Sequence, residues 1–181
     1  MTGHSKEDMF TKKLADFLSQ YVNEKDRTAV ILVAAKLDYL LGQAIAAKLL
    51  PCTASTDELL DNDRALGTFS ARIHAAYRLG IIDESFAKAL HIFRRIRNDF
   101  AHSYHDTSFS DGRHRDRLHE LVRPLIGGDI YNSIRSIAEK RKLPEESINF
   151  IIASSLLIGY LEAAPDKVEC ISCSAALTFS K

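Results

Sequence analysis

Cysteine is scarce in this sequence, with three in 181 residues. That number is odd and too small for the disulfide framework of a secreted domain, so a reducing compartment is expected. Net charge is missing as well: 24 basic and 24 acidic residues cancel to a formal charge of zero. No global field pulls such a chain onto a phosphate backbone or an anionic membrane, and any nucleic-acid contact has to come from a local patch. No apolar run reaches the roughly 20 residues that span a bilayer. Residues 1–10 carry His4, Lys6, Glu7 and Asp8 where a signal peptide needs apolar side chains. A cytoplasmic protein without membrane contact is the expectation. Glycine-rich phosphate loops, a serine elbow and paired metal-ligand spacings are also lacking. Cys170 and Cys173 form a lone CxxC with no second pair and no nearby histidine to complete a zinc site, so neither a metal nor a cofactor is expected.

What is abundant is apolar residue, 46% of the chain, set at helical spacing nearly throughout and never in sustained strand alternation. The fold class expected is all-α, an up-and-down bundle, and the chain is long enough for one compact domain over 1–181. Met9, Leu14, Phe17, Leu18 and Tyr21 predict an amphipathic helix over 5–22. Residues 26–50 are apolar on nearly every side, as a central helix would be, and Pro51 ends them. In the connection over 51–69, Ser55 and Glu58 have capping-box spacing for a short helix over Leu59 and Leu60. A helix beginning after Ser70 should stop at Gly80 through a left-handed cap. Asp83 should cap the next, in which Phe86, Leu90, Phe93 and Arg97 follow at four, three and four residues. Beyond a polar loop over 103–112 with Phe109 as its anchor, helices are predicted over 113–123, 129–142 and from Pro144 to near Pro165, leaving a tail over 165–181.

Two details carry chemistry. At about 100° per residue, Asp38 falls among Ile31, Ala34, Leu41 and Ile45 on an apolar stripe. A carboxylate there needs a cationic partner, since a fully buried pair broken on one side costs about 3–5 kcal/mol. Arg97 is the first candidate because its spacing continues an apolar stripe, and Arg72 is the second. The other detail is the segment Ile96-Arg97-Asn98-Asp99-Phe100-Ala101-His102. Around it lie Arg94, Arg95, Arg113, Arg115 and Arg117, interleaved with Asp99, Asp111 and Asp116 and accompanied by His91, His102, His105 and His114. Of these, Arg94, Arg95, His105, Arg113 and Arg115 are the candidate contacts for RNA or for a partner, although a solvated, charged helix end is the commoner explanation of such a cluster.

Arginine, four residues and histidine, with Asn98 after the arginine, is similar to the motif of HEPN helical domains. Together with Leu66-Gly67-Thr68-Phe69-Ser70-Ala71-Arg72-Ile73, Ala76-Tyr77-Arg78-Leu79-Gly80-Ile81-Ile82 and Ser108-Phe109, it resembles the mannitol-repressor family over roughly residues 27–111. The resemblance implies a helical bundle, with a core over 5–112, and usually a homodimer; the part after residue 112 matches nothing in the family and adds the helices over 113–164. It also implies one of two functions. One is a regulator working through protein partners; the other is a metal-independent ribonuclease in which Arg97, Asn98 and His102 act on phosphate at a dimer interface. Guanidinium and imidazole suit that chemistry, but on a continuous helix Arg97 and His102 stand about 140° apart. Direct DNA reading is not expected, because no helix-turn-helix with a polar recognition helix is present.

Overall fold

A computed structural model describes residues 24–172; the helix expected over 5–22 and Cys173 lie outside the described residues. Among the described residues six α-helices follow one another: α1 Asp26–Lys48, α2 Phe69–Arg78, α3 Glu84–His102, α4 Gly112–Val122, α5 Asp129–Lys140 and α6 Glu145–Glu162. A 3-10 turn, Arg123–Leu125, extends α4, and among the described residues there is no strand. The architecture is an all-helical bundle.

The helix ends follow from local chemistry. Thr68 begins α2 by accepting the Ala71 N–H at 3.1 Å. At the other end Gly80 takes φ +68°, and the Ile81 and Gly80 N–H groups donate back to Ala76 and Tyr77 at 2.9 and 3.0 Å. This is a Schellman cap at the glycine the sequence marks for it. Asp83 caps α3, accepting from Phe86 N at 2.7 Å.

The connection between α1 and α2 differs from expectation. No helix forms over Leu59 and Leu60; there is a single turn in which Asp57, not Ser55, accepts from Leu59 N and Leu60 N at 2.9 and 3.0 Å. Past this turn the chain is tied to α2, the Leu60 and Leu66 carbonyls accepting from Arg72 Nη2 and Nε. Gly67 is required here: a β-carbon on it would stand 2.2 Å from the Asn62 carbonyl oxygen.

The most enclosed helix is α6, which buries twelve of its eighteen residues. It packs against α1, α4 and α5, and Ser154 satisfies its hydroxyl inside the helix by donating to the Phe150 carbonyl at 2.6 Å. α1, expected at the centre, packs on α2, α3 and α6 and leaves Leu32 and Tyr39 on an open face. By length and composition α1 could cross a membrane, with mean hydropathy 1.6, yet over half of that stretch is buried inside the bundle. Helices α4 to α6 are not appended to a finished core. Leu118, Ile134, Ile152 and Leu161 belong to the same apolar cluster as Leu37, Ile73, Phe93 and Ile96.

Candidate functional site

Asp38 meets Arg72, not Arg97. The Arg72 guanidinium donates from Nη1 to Asp38 Oδ1 at 2.9 Å, from Nε to Leu66 O at 2.9 Å and from Nη2 to Leu60 O at 2.8 Å. One cation thereby ties α2 to α1 and pins the connection between them. The guanidinium lies over Gly42, one turn after Asp38, at a distance where a β-carbon would make ordinary contact with it, 3.4 Å from Arg72 Cζ. Arg97 is exposed, and its Nη1 donates to the adjacent Asn98 Oδ1 at 3.0 Å. Its spacing follows the apolar stripe, but the guanidinium keeps its hydration where Leu90 and Phe93 lose theirs.

The Arg97–His102 segment is the last part of α3, which stays helical through His102. Phe100 points inward, fully buried against Phe109 and His114 at ring separations of 5.6 and 4.8 Å. Asp99 turns toward α4, accepting from Arg117 Nη1 at 2.6 Å and from Arg113 Nη1 at 3.4 Å. Burial pushes its carboxyl up, but the Arg117 bond and the charges of Arg117 and Arg113 outweigh this and hold it below the usual carboxylate range.

The loop after α3 is held by the first turn of α1. Arg27 Nη2 donates to the Ser103 and His105 carbonyls at 2.7 and 3.0 Å. Asp26 Oδ2 accepts from Phe109 N at 2.8 Å and Ser108 Oγ at 3.2 Å. Phe109 is thereby set into the core, stacked on Phe150 at 4.6 Å.

Between the end of α3 and the start of α4 these contacts leave a polar cleft of about 570 Å³, lined by Asp99, His102, Ser103, Thr107, Arg113 and His114 among others. His102 is exposed at its edge. His114 is 5% exposed, and its Nδ1 is buried without a hydrogen-bond partner. Burial depresses its pKa more than the nearby Asp99 raises it, so the ring is held neutral. A larger hollow of about 670 Å³ lies between the C-terminal ends of α1 and α6, lined by Lys48, Ile82, Phe86 and Tyr160 among others. It is mostly apolar and holds none of the residues of segment 97–102 and none of the charged cluster around it, so the smaller cleft is the candidate site.

Of the residues singled out from sequence, His102 and Arg113 meet at this cleft. Arg97, Arg94, Arg95, His105 and Arg115 do not line it. His105, exposed in the loop, serves through its backbone carbonyl, and Arg115 pairs loosely with Asp116 at 3.8 Å. Sequence reasoning missed Asp26 and Arg27, whose partners lie about eighty residues away. Among the described residues no group of three or more histidines, cysteines or acids is placed to hold a metal.

No family model and no curated protein matches the chain. Its fold is similar to that of a chain in the X-ray structure of the MtlR-HPr complex from Escherichia coli. The TM-score is 0.59 at 17% identity, covering 84% of this chain and 98% of the other.

Proposed function

We propose that this chain is a regulatory module of the mannitol-repressor type that works by docking a protein partner, and that it does not cut RNA. The observation that carries this reading is the use to which segment 97–102 is put. Asp99 is bound to α4 through Arg117, Phe100 is in the core, and Arg97 and His102 stand on different sides of an unbroken helix. Within one chain they do not converge on one phosphate. The fold likeness supports the partner reading, because the similar structure is a complex of MtlR with HPr. HPr is therefore the first partner to test. Calorimetric titration of the pure chain with pure HPr from the same organism should give saturable binding, and no heat together with no co-elution would reject HPr docking.

A homodimer belongs to the same proposal. Leu32 and Tyr39, 45% and 59% exposed, lie seven residues apart on one face of α1 and would be covered by a second copy. Sedimentation equilibrium returning the monomer mass of 20.2 kDa would contradict it.

The ribonuclease reading keeps one observation in its favour: His102 is exposed at a polar cleft beside Arg113. A phosphate held by Arg113 would lie within reach of that imidazole. Metal-free RNA cleavage by pure protein is the test.

A further inference from the structure

On the α2–α3 seam, away from the cleft, four basic side chains gather with nothing to balance them. His74 on α2 and His91 on α3 face each other with ring centroids 4.8 Å apart, tilted by 50°. Arg94 and Arg95 follow His91 by three and four residues, which puts them on its side of the helix. Among the described residues no carboxylate lies within ion-pair distance of any of the four. Arg94 is half-buried, and its Nε is shut off from solvent with no hydrogen-bond partner. His91 is depressed below its ordinary value by burial first, then by the like charges of His74, Arg94 and Arg95. An anion held by the outer nitrogens of this group would relieve the repulsion.

We propose that His74, His91, Arg94 and Arg95 form a binding site for a phosphate monoester group. Basic groups from two facing helices suit a tetrahedral dianion with several acceptor oxygens better than a planar carboxylate. A nucleic-acid backbone fits less well, since it is held by a stripe of cations following the strand, whereas these four lie on one seam of a chain of zero net charge. The group is carried either by a free phosphorylated small molecule or by a phosphorylated side chain of another protein. The site does not depend on the docking of HPr, and the two ideas fail separately.

The test is an NMR titration of the isotope-labelled chain with inorganic phosphate, then glycerol phosphate, then a phosphoserine peptide, with single-stranded RNA as the contrasting arm. Saturable shifts are expected at the His74 and His91 imidazoles and the Arg94 and Arg95 guanidinium groups, with the His91 titration midpoint rising when phosphate is bound. His91→Gln and Arg94→Gln should each weaken phosphate binding about tenfold, the loss of one charge-assisted contact. If Arg94→Gln does not fold, the exposed Arg95 supplies the substitute, Arg95→Gln. A phosphopeptide bound about tenfold or more tighter than glycerol phosphate identifies a protein source, and equal affinity a small molecule. No saturable shift at these residues, shifts undiminished in the variants, or a response to RNA alone would overturn the proposal.

Discussion

Replacing Arg72 by alanine removes a side chain that is 12% exposed and serves four acceptors, the Asp38 carboxylate, the Leu60 and Leu66 carbonyls and, at 3.4 Å, the Asp38 carbonyl. Hydrogen bonds from a charged donor contribute about 1.5–3 kcal/mol each, less when the acceptor recovers water. Asp38 is 29% exposed and recovers part of its hydration, and these bonds are not additive, so Arg72→Ala should cost about 3 kcal/mol. Asp38→Ala should cost less, about 1–2 kcal/mol, because Arg72 keeps its backbone carbonyl acceptors. The 3–5 kcal/mol that applies to a fully buried pair does not apply here. Urea unfolding followed by circular dichroism gives both values, and the double mutant gives the coupling. Hydrogen exchange should show early opening at Leu66 and Gly67 in Arg72→Ala, whose N–H groups are bonded only inside the connection, to Leu59 and Arg64. Equal costs for the two single variants, or a loss below about 1 kcal/mol for Arg72→Ala, would refute the idea that the guanidinium pins the connection rather than merely pairing with Asp38.

Gly67→Ala should lower stability by more than an ordinary loop substitution, since the new β-carbon meets backbone oxygen at 2.2 Å; a thermal midpoint within error of wild type would show that the connection repacks freely. Asp99 has a depressed folded pKa, so its contribution is complete at neutral pH and lost as the pH falls below the carboxylate range. Asp99→Asn should cost about 1 kcal/mol near pH 7 and flatten the acid slope of stability. His114 is depressed below 6.5, so the unfolded chain takes up a proton before the folded one, and stability falls as the pH drops from 6.5 toward the folded value. His114→Phe should therefore gain more at pH 6 than at pH 8, and an equal gain at both would contradict a buried neutral imidazole.

Features set within a few residues were legible from sequence. Gly80 and Asp83 end and begin helices through bonds to residues at most five positions away, so spacing alone identifies them. Asp38 was legible as a carboxylate in need of a cation, because helical geometry places it on an apolar stripe. Which arginine answers it was not legible: Arg97 has the better periodicity, but Arg72 is the one whose helix crosses α1 near Asp38 and Gly42. The Arg97–His102 pattern was visible as a motif, whereas its Asp99–Arg117 link needs two helices brought together across eighteen residues. The grip of Asp26 and Arg27 on the loop around Phe109 spans some eighty. Periodicity also marked α6 as core-facing without revealing that it is enclosed on nearly all sides, because that depends on α4 and α5 folding over it.

Whether segment 97–102 joins helices or acts on phosphate is decided most directly by incubating pure wild-type protein and His102→Ala with labelled RNA in the presence of a chelator. No cleavage above buffer by either protein, with His102→Ala melting at the wild-type temperature, is the expected result. Cleavage by the wild type that disappears in His102→Ala would contradict it.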